Sequence, residues 1–361
     1  MTAVQDIDQA RAATPTAGIQ EAIDSLPPAG GIVRLAAGVY PLRRSIFLRS
    51  GVTLIGAGAA TVLRPVQPHL TRLTATMPPG GATAQLADAL PLRVGDQVLI
   101  AEPYVPGCGR HFGYFARYLA VTELDGRTVR GATLYGKDEY DYRVEHDAYA
   151  LSVFPALFIR DAHDVTAREL AIDGGASEAL TLAGVRLTDF ITAAVLIDQA
   201  PRCRVRDLTI TRWPSDGVCA GGPYSDCLVT GCAVEHCQGI GLHTGGGIQS
   251  AQWLHNISRH NHSGFLFCQG NRNVLCAHNL VSHNRKSGIW GLDNSDRFNV
   301  ITGNICRNNS QSKPGAFAGI HLRRHRDNLV RDNLCIDDQE TPTQLRGVDA
   351  ADHAGANQIV V

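Results

Sequence analysis

The feature that most constrains this chain is an internal repeat about two dozen residues long. Five segments align under one another: TGCAVEHCQGIGL from Thr230, LHNISRHNHSGFL from Leu254, AHNLVSHNRKSGIW from Ala277, TGNICRNNSQSKPGAFAGIHL from Thr302 and RDNLCIDDQETPTQLRGVDA from Arg331. One column reads Cys232, Asn256, Asn279, Asn304 and Asn333, at spacings of 24, 23, 25 and 29 residues. A second reads Cys237, Asn261, Asn284, Asn309 and Asp338 and keeps the same spacings. Two columns moving in step predict a solenoid in which each repeat is one coil. Short strands alternate their side chains in and out, and equivalent residues of successive coils lie above one another at strand spacing. Asn at a bend can satisfy a turn and bond the Asn of the next coil, so the columns predict ladders. The step of 29 reads as turn insertions, Gln311 to Ala316 and Glu340 to Gln344.

Upstream, IRDAHDVTARELAIDGG from Ile159 and IDQAPRCRVRDLTITRW from Ile197 keep the cadence. With 37 glycines and 6% aromatic residues, the chain suits many tight turns around a core of small β-branched residues. Thr16 to Leu26 predicts a short amphipathic helix with Ile19, Ala22, Ile23 and Leu26 on one face, ended by Pro27-Pro28. Such a helix would cap the open first coil. Residues 66–150 break the repeat and read as hairpins, with Asp125-Gly126 as one turn.

IQEAIDSLPPAGGIVRLAAGVYPLRRSIFLRSGVTLIGAG resembles the entry module of pectate-lyase-like β-helix enzymes: a helix, a Gly-Gly turn, then strands. The resemblance covers Ala17 to Pro65 and the coils from Ile159 onward. It implies an all-β, right-handed parallel β-helix spanning 1–361 as one domain. Residues 1–65 would form the capping helix and first coils, 66–150 a small β-rich insertion packed on the side, and 151–361 the regular coils. It also implies an enzyme acting on an oligosaccharide or polysaccharide bound along the outer face.

The formal net charge of −1 argues against nucleic acid as a partner, and the lack of an 18-residue apolar run argues against a membrane span. Met1 to Ala13 has no basic or apolar region of a secretory signal, so the expectation is a cytoplasmic protein, or a secreted one whose signal peptide is absent from this sequence. The 10 cysteines contain no CxxC pair and read as reduced, buried thiols. His236, His260 and His283 form a further column, read as surface residues rather than a metal strip because no carboxylate ladder accompanies them. No metal and no cofactor are expected, nor the paired acids of a calcium site.

Chemistry on such a fold must sit on outward residues or on loops above them. Aligning Gly217, Gly239, Gly264, Gly288, Gly319 and Gly347 puts Cys219, Gly241, Leu266, Trp290, His321 and Asp349 in one outward column. Gly221, His243, Cys268, Leu292, Arg323 and Ala351 fall in the next, and Thr244, Gln269, Asp293, Arg324 and Asp352 at the strand ends. The candidate catalytic residues are therefore His243, Asp293, His321, Arg323 and Asp216. The candidate substrate-binding residues are Trp290, Gln269 and Arg324, with Tyr114, Tyr142 and Arg143 of the insertion as a wall over the cleft. For Asp216 the competing reading is a turn-forming residue. Polygalacturonase-type β-helix enzymes carry adjacent acids, a Gly-His-Gly and an Arg-x-Lys. Here Asp216-Gly217, Gln238-Gly239 and Arg323-Arg324 stand instead, so that mechanism does not transfer.

Three functions remain open. A polysaccharide lyase or epimerase would use His243 or His321 as base and Arg323 to hold the charge developing on a uronate. A glycoside hydrolase or intramolecular fructosyl transferase would use Asp216 and Asp293 as its carboxylate pair. A non-catalytic glycan-binding β-helix would need no acid/base group. A homo-oligomer would hide the last coil.

Overall fold

The computed structural model describes residues 2–8, 13–103, 116–136, 138–175, 181–182, 185–186, 192–223, 226–291, 295–323, 326–348 and 352–360. Its regular part is a parallel β-helix. One face is a nine-stranded sheet whose strands follow chain order. These are β1 (Ile46–Leu48), β2 (Leu157–Arg160), β3 (Val195–Asp198), β4 (Val218–Gly221), β5 (Ile240–Gly245), β6 (Ser263–Phe267), β7 (Ile289–Gly291), β8 (Ile320–Leu322) and β9 (Leu345–Arg346). The other faces belong to a seventeen-stranded sheet, in which Gln252–Leu254 pairs parallel with Leu275–Ala277 and Ile257–Arg259 with Leu280–Ser282.

Alternation along the three-residue strands of this second sheet sends the middle residue inward. Val229, Trp253, Cys276, Ile301 and Val330 stack along one wall and are buried. Leu242, Phe265, Ile289 and Ile320 stack along the nine-stranded sheet, with Phe265 edge-on to Trp253 at 5.3 Å. Eight of the nine described cysteines are buried and none forms a disulfide, so sulfur serves as a small apolar filler.

Both asparagine columns form ladders at the corners between strands. Asn256 Oδ1 accepts from the Cys232 amide at 3.0 Å, and Asn279, Asn304 and Asn333 repeat the bond at 2.9, 3.0 and 3.0 Å. Each Nδ2 also reaches a carbonyl one coil back, as Asn279 does to Trp253 at 3.0 Å. The first ladder runs on to Asn357. The second ends one coil sooner than its spacing suggests: Asn309 is buried, but Asp338 is exposed and its amide turns to Asn308 Oδ1 at 3.1 Å. The change falls at the corner itself, since Arg307 still pairs with Ile336. A third, shorter column went unread in the sequence, in which Asn299 and Asn328 accept from Val274 and Asn299 at 2.9 and 3.0 Å.

The glycine alignment needs two corrections. Strand register sets Gly217 beside Gly241 and Gly264, not Gly239, because Val218 pairs with Leu242 and Leu242 with Phe265. In the last coil Ile320 pairs with Leu345, so Gln344 rather than Gly347 follows Gly319. The aligned glycines sit where the chain enters the sheet with no room for a Cβ: at Gly241 it would strike Ser258, and at Gly264 Val281. Gly239 is needed for another reason given below.

The N-terminal helix is shorter than expected, Ile19–Asp24, because Gly18 stands before it in the left-handed region. Its Ile19 and Ile23 are buried as the pattern required. The edge of the first coil is covered by Val4–Ile7, which pairs parallel with Gly31–Leu35. The insertion is a six-stranded antiparallel sheet, and Gly126 makes its hairpin turn at φ 55°. Leu99, Tyr118 and Tyr149 on one of its faces join the main core, while Val98, Ile100 and Leu119 on the other build a second core. Among the described residues no helix is long and apolar enough to cross a membrane.

Candidate functional site

The corrected register puts one outward column down the nine-stranded sheet: Phe47, Phe158, Leu196, Cys219, His243, Leu266, Trp290, His321 and Arg346. Its N-terminal half is apolar and covered. Phe47 and Phe158 lie 5.3 Å apart, and Tyr135 from the insertion stands edge-on to Phe158 at 5.0 Å. The Arg160 guanidinium lies over the Tyr135 ring, 4.2 Å from its centre. From His243 onward the column turns polar, so an elongated ligand on this face would lie over the C-terminal coils.

His243 shares this column with Trp290 and His321 instead of lying one column over. It is 9% exposed, and its Nδ1 bonds Asp216 Oδ2 at 2.8 Å. Asp216 is 4% exposed, and its Oδ1 accepts from the Ile240 amide at 2.7 Å. It is thus both the turn residue and a partner of the histidine. Gly239 makes this possible, since a Cβ there would collide with Asp216 Oδ1. Burial opposes charge on His243, but Cys219 and the hydrogen bonds with Asp216, Cys219 and Cys268 outweigh it and hold the imidazole well above its ordinary pKa. The raised pKa favours the imidazolium, which makes His321 rather than His243 the better of the two candidate bases.

His321 is pushed the other way. Burial, with Arg346 and Arg323 beside it, holds its pKa below the ordinary 6.5, so it is neutral at pH 7. Its Nδ1 is buried without a partner. Trp290 is its direct neighbour across the β7–β8 ladder, and both are half-buried. Arg323 is exposed, two residues along the chain from His321. Arg346, paired with His321 in register, donates to the carbonyls of Ala316 and Gly315 at 2.7 and 3.1 Å. Sequence reasoning missed Arg346 because the misplaced last glycine had put Asp349 there. His243 and His321 stand three strand steps apart, roughly 14 Å, too far to act on one bond.

Gln269 is exposed at the end of β6, whereas Thr244 points inward and is fully buried. Tyr142 is corrected: it is fully buried in the second core with the Arg117 guanidinium 5.7 Å from its ring centre, so it cannot line a cleft. Arg143 is half-exposed and paired with Asp141 at 2.5 Å, inside the insertion. Asp293, Arg324 and Tyr114, with Leu292, Asp349 and Ala351, lie outside the described residues.

The histidine column forms ring stacks: His236 on His260 at 4.7 Å and His260 on His283 at 5.4 Å, beside a second pair, His255 on His278, at 5.3 Å. All five hold left-handed backbone at coil corners. Face-to-face rings cannot converge on an ion, and among the described residues no three His, Cys, Asp or Glu side chains are placed to hold a metal. Burial and the neighbouring His236 and His283 keep the His260 pKa below 6.5. The unfolded chain therefore binds more protons there, and this contribution to stability is lost as pH falls through about 6.5. His260→Gln is expected to flatten the fall of the melting temperature between about pH 7 and 5, as calorimetry across that range would show; an unchanged slope would remove the stack as its cause.

Residues 193–359 match the family described as right handed beta helix region. No curated protein matches the chain. Among solved structures, a hyperthermoactive exopolygalacturonase from Thermotoga maritima is similar at 12% identity and a TM-score of 0.59, over 100% of this chain and 80% of that one. An alginate lyase from Paenibacillus sp. str. FPU-7 is similar at 12% identity and a TM-score of 0.55, over 99% of this chain and 95% of that one. These likenesses show the fold.

Proposed function

We propose that this chain, a member of the pectate-lyase-like right-handed β-helix superfamily, is a carbohydrate-active enzyme that removes a proton α to a carboxylate in a uronate-containing polysaccharide. The observation carrying this reading is His321, held neutral between two guanidiniums with an indole beside it. A base that is neutral at pH 7 can take the proton. Arg323 and Arg346 offer positive charge where the carboxylate and its enolate-like transition state would lie. Trp290 offers a flat apolar surface to a sugar ring. A uronate is the substrate class that uses both the base and the cations; a neutral glycan would leave the arginines without a role. The similar polygalacturonase and alginate lyase act, by their names, on uronate polymers, which agrees with the reading. Elimination and epimerisation share this first step.

The test is turnover on polygalacturonate and alginate, following ultraviolet absorbance and product mass together. Unsaturated products, or an altered uronate composition at unchanged mass, support the proposal. Saturated cleavage products would move the assignment to a carboxylate mechanism. Glycan binding without turnover would leave a binding module. The activity is expected to fall on the acid side with an apparent pKa below 6.5, because protonating His321 removes the base.

A further inference from the structure

The proton abstraction above uses neither His243 nor the thiols around it. We propose that Asp216, His243 and Cys268 form a second reactive centre on the same face, a thiol nucleophile that cleaves carboxylic esters. The inference stands apart from the uronate reading, since it rests on other residues.

Three features carry it. The imidazole is oriented: Asp216 Oδ2 holds Nδ1 at 2.8 Å, and Asp216 is itself held by the Ile240 amide at 2.7 Å. A carboxylate that fixes one ring nitrogen leaves the other to exchange protons with a nucleophile. Next, Nε2 faces the neighbouring coil over Gly245. A Cβ at Gly245 would lie 3.5 Å from His243 Nε2 and 3.7 Å from Cys268 Cβ, so the bare glycine leaves the space between ring and thiol open. Finally, Cys268 is half-buried while the other described cysteines are buried. Cys219, 3% exposed and packed with Phe158 and Leu196, lies on the ring's other side and is closed to substrate. The hydrogen bonds of His243 with both thiols fit an imidazolium that stabilises a neighbouring thiolate.

The reaction balances without a further reagent. In the resting pair His243 Nε2 already carries the proton and Cys268 reacts as the thiolate, whose sulfur adds to the ester carbonyl. The carbon–oxygen bond to the alcohol breaks, and the leaving alkoxide takes the proton from Nε2, leaving a thioester. Water then gives a proton to Nε2 as its oxygen attacks the thioester. The carbon–sulfur bond breaks, the thiolate departs beside the restored imidazolium, and an acid and an alcohol have formed from ester and water.

The test uses two probes on the full chain. Iodoacetamide labelling, read by peptide mass spectrometry at about pH 6, should modify Cys268 at least about tenfold faster than an ordinary thiol. That advantage should disappear in His243→Gln and weaken in Asp216→Asn, which keeps an acceptor for the Ile240 amide. p-Nitrophenyl acetate should release a burst of nitrophenol and leave an acetyl group on Cys268, both absent in Cys268→Ser. The serine variant leaves the coil intact, so the second probe decides even if a His243 variant folds poorly. A Cys268 labelling rate that follows an ordinary thiol titration, or acetyl groups found on lysines and not on Cys268, would overturn the proposal.

Discussion

His321→Ala is expected to lower kcat on the responsive uronate polymer by about 10²–10⁴-fold, the usual contribution of a positioned general base. KM should change little, because the ring removed makes few contacts beyond the transferred proton. Arg323→Ala is expected to cost about 10²–10³-fold, since it takes away a charge facing the developing enolate. Arg323→Lys should recover part of the loss by restoring the charge without the planar fork. Trp290→Ala should instead raise KM, as an apolar platform binds ground state and transition state alike. Steady-state kinetics on the four variants distinguishes these patterns. Full activity in His321→Ala would remove it as the base and with it the proposed reaction.

Asn279→Ala is expected to destabilise the helix by about 2–4 kcal/mol. Its Oδ1 accepts from both the amide and the Nδ2 of Asn256, at 2.9 and 3.0 Å, and its Nδ2 donates to Trp253 O and Asn304 Oδ1 at 3.0 and 2.9 Å. Alanine would leave several buried groups without partners on both neighbouring coils, each costing about 1–3 kcal/mol before relaxation. A solenoid loses stability locally, so hydrogen exchange at the amides of Asn256 and Asn279 should quicken more than in the N-terminal coils. Gln252→Ala, at an exposed position on the same wall, should change stability by less than about 0.5 kcal/mol. Equal effects in the two variants would show that the ladder contributes only by filling space.

The coil period, the inward stacks and most of both asparagine columns were legible in the sequence because a parallel β-helix is nearly one-dimensional. Each coil meets only its neighbours, so a fixed residue spacing translates directly into a fixed spatial offset. The capping helix was legible for the same local reason, through its 3.6-residue face. The shared outward column of Trp290 and His321 was likewise legible, since their coils carry the aligning glycine in register.

What depended on the tertiary structure was register at the irregular coils and the electrostatic state of each site residue. In GIGLHTGG, from Gly239, two glycines compete for one entry position, and backbone pairing of Leu242 with Val218 and Phe265 selects Gly241, which moves His243 one full outward position. The last coil slips in the same way and brings Arg346, not Asp349, beside His321. Tyr142 belongs to a hydrophobic core that the insertion's broken pattern did not announce. The opposite protonation of two histidines in one column cannot be read from spacing at all. It follows from burial of each ring and from what lies beside it, Cys219 and Asp216 at His243 and Arg346 and Arg323 at His321, contacts that exist only once the coils are stacked.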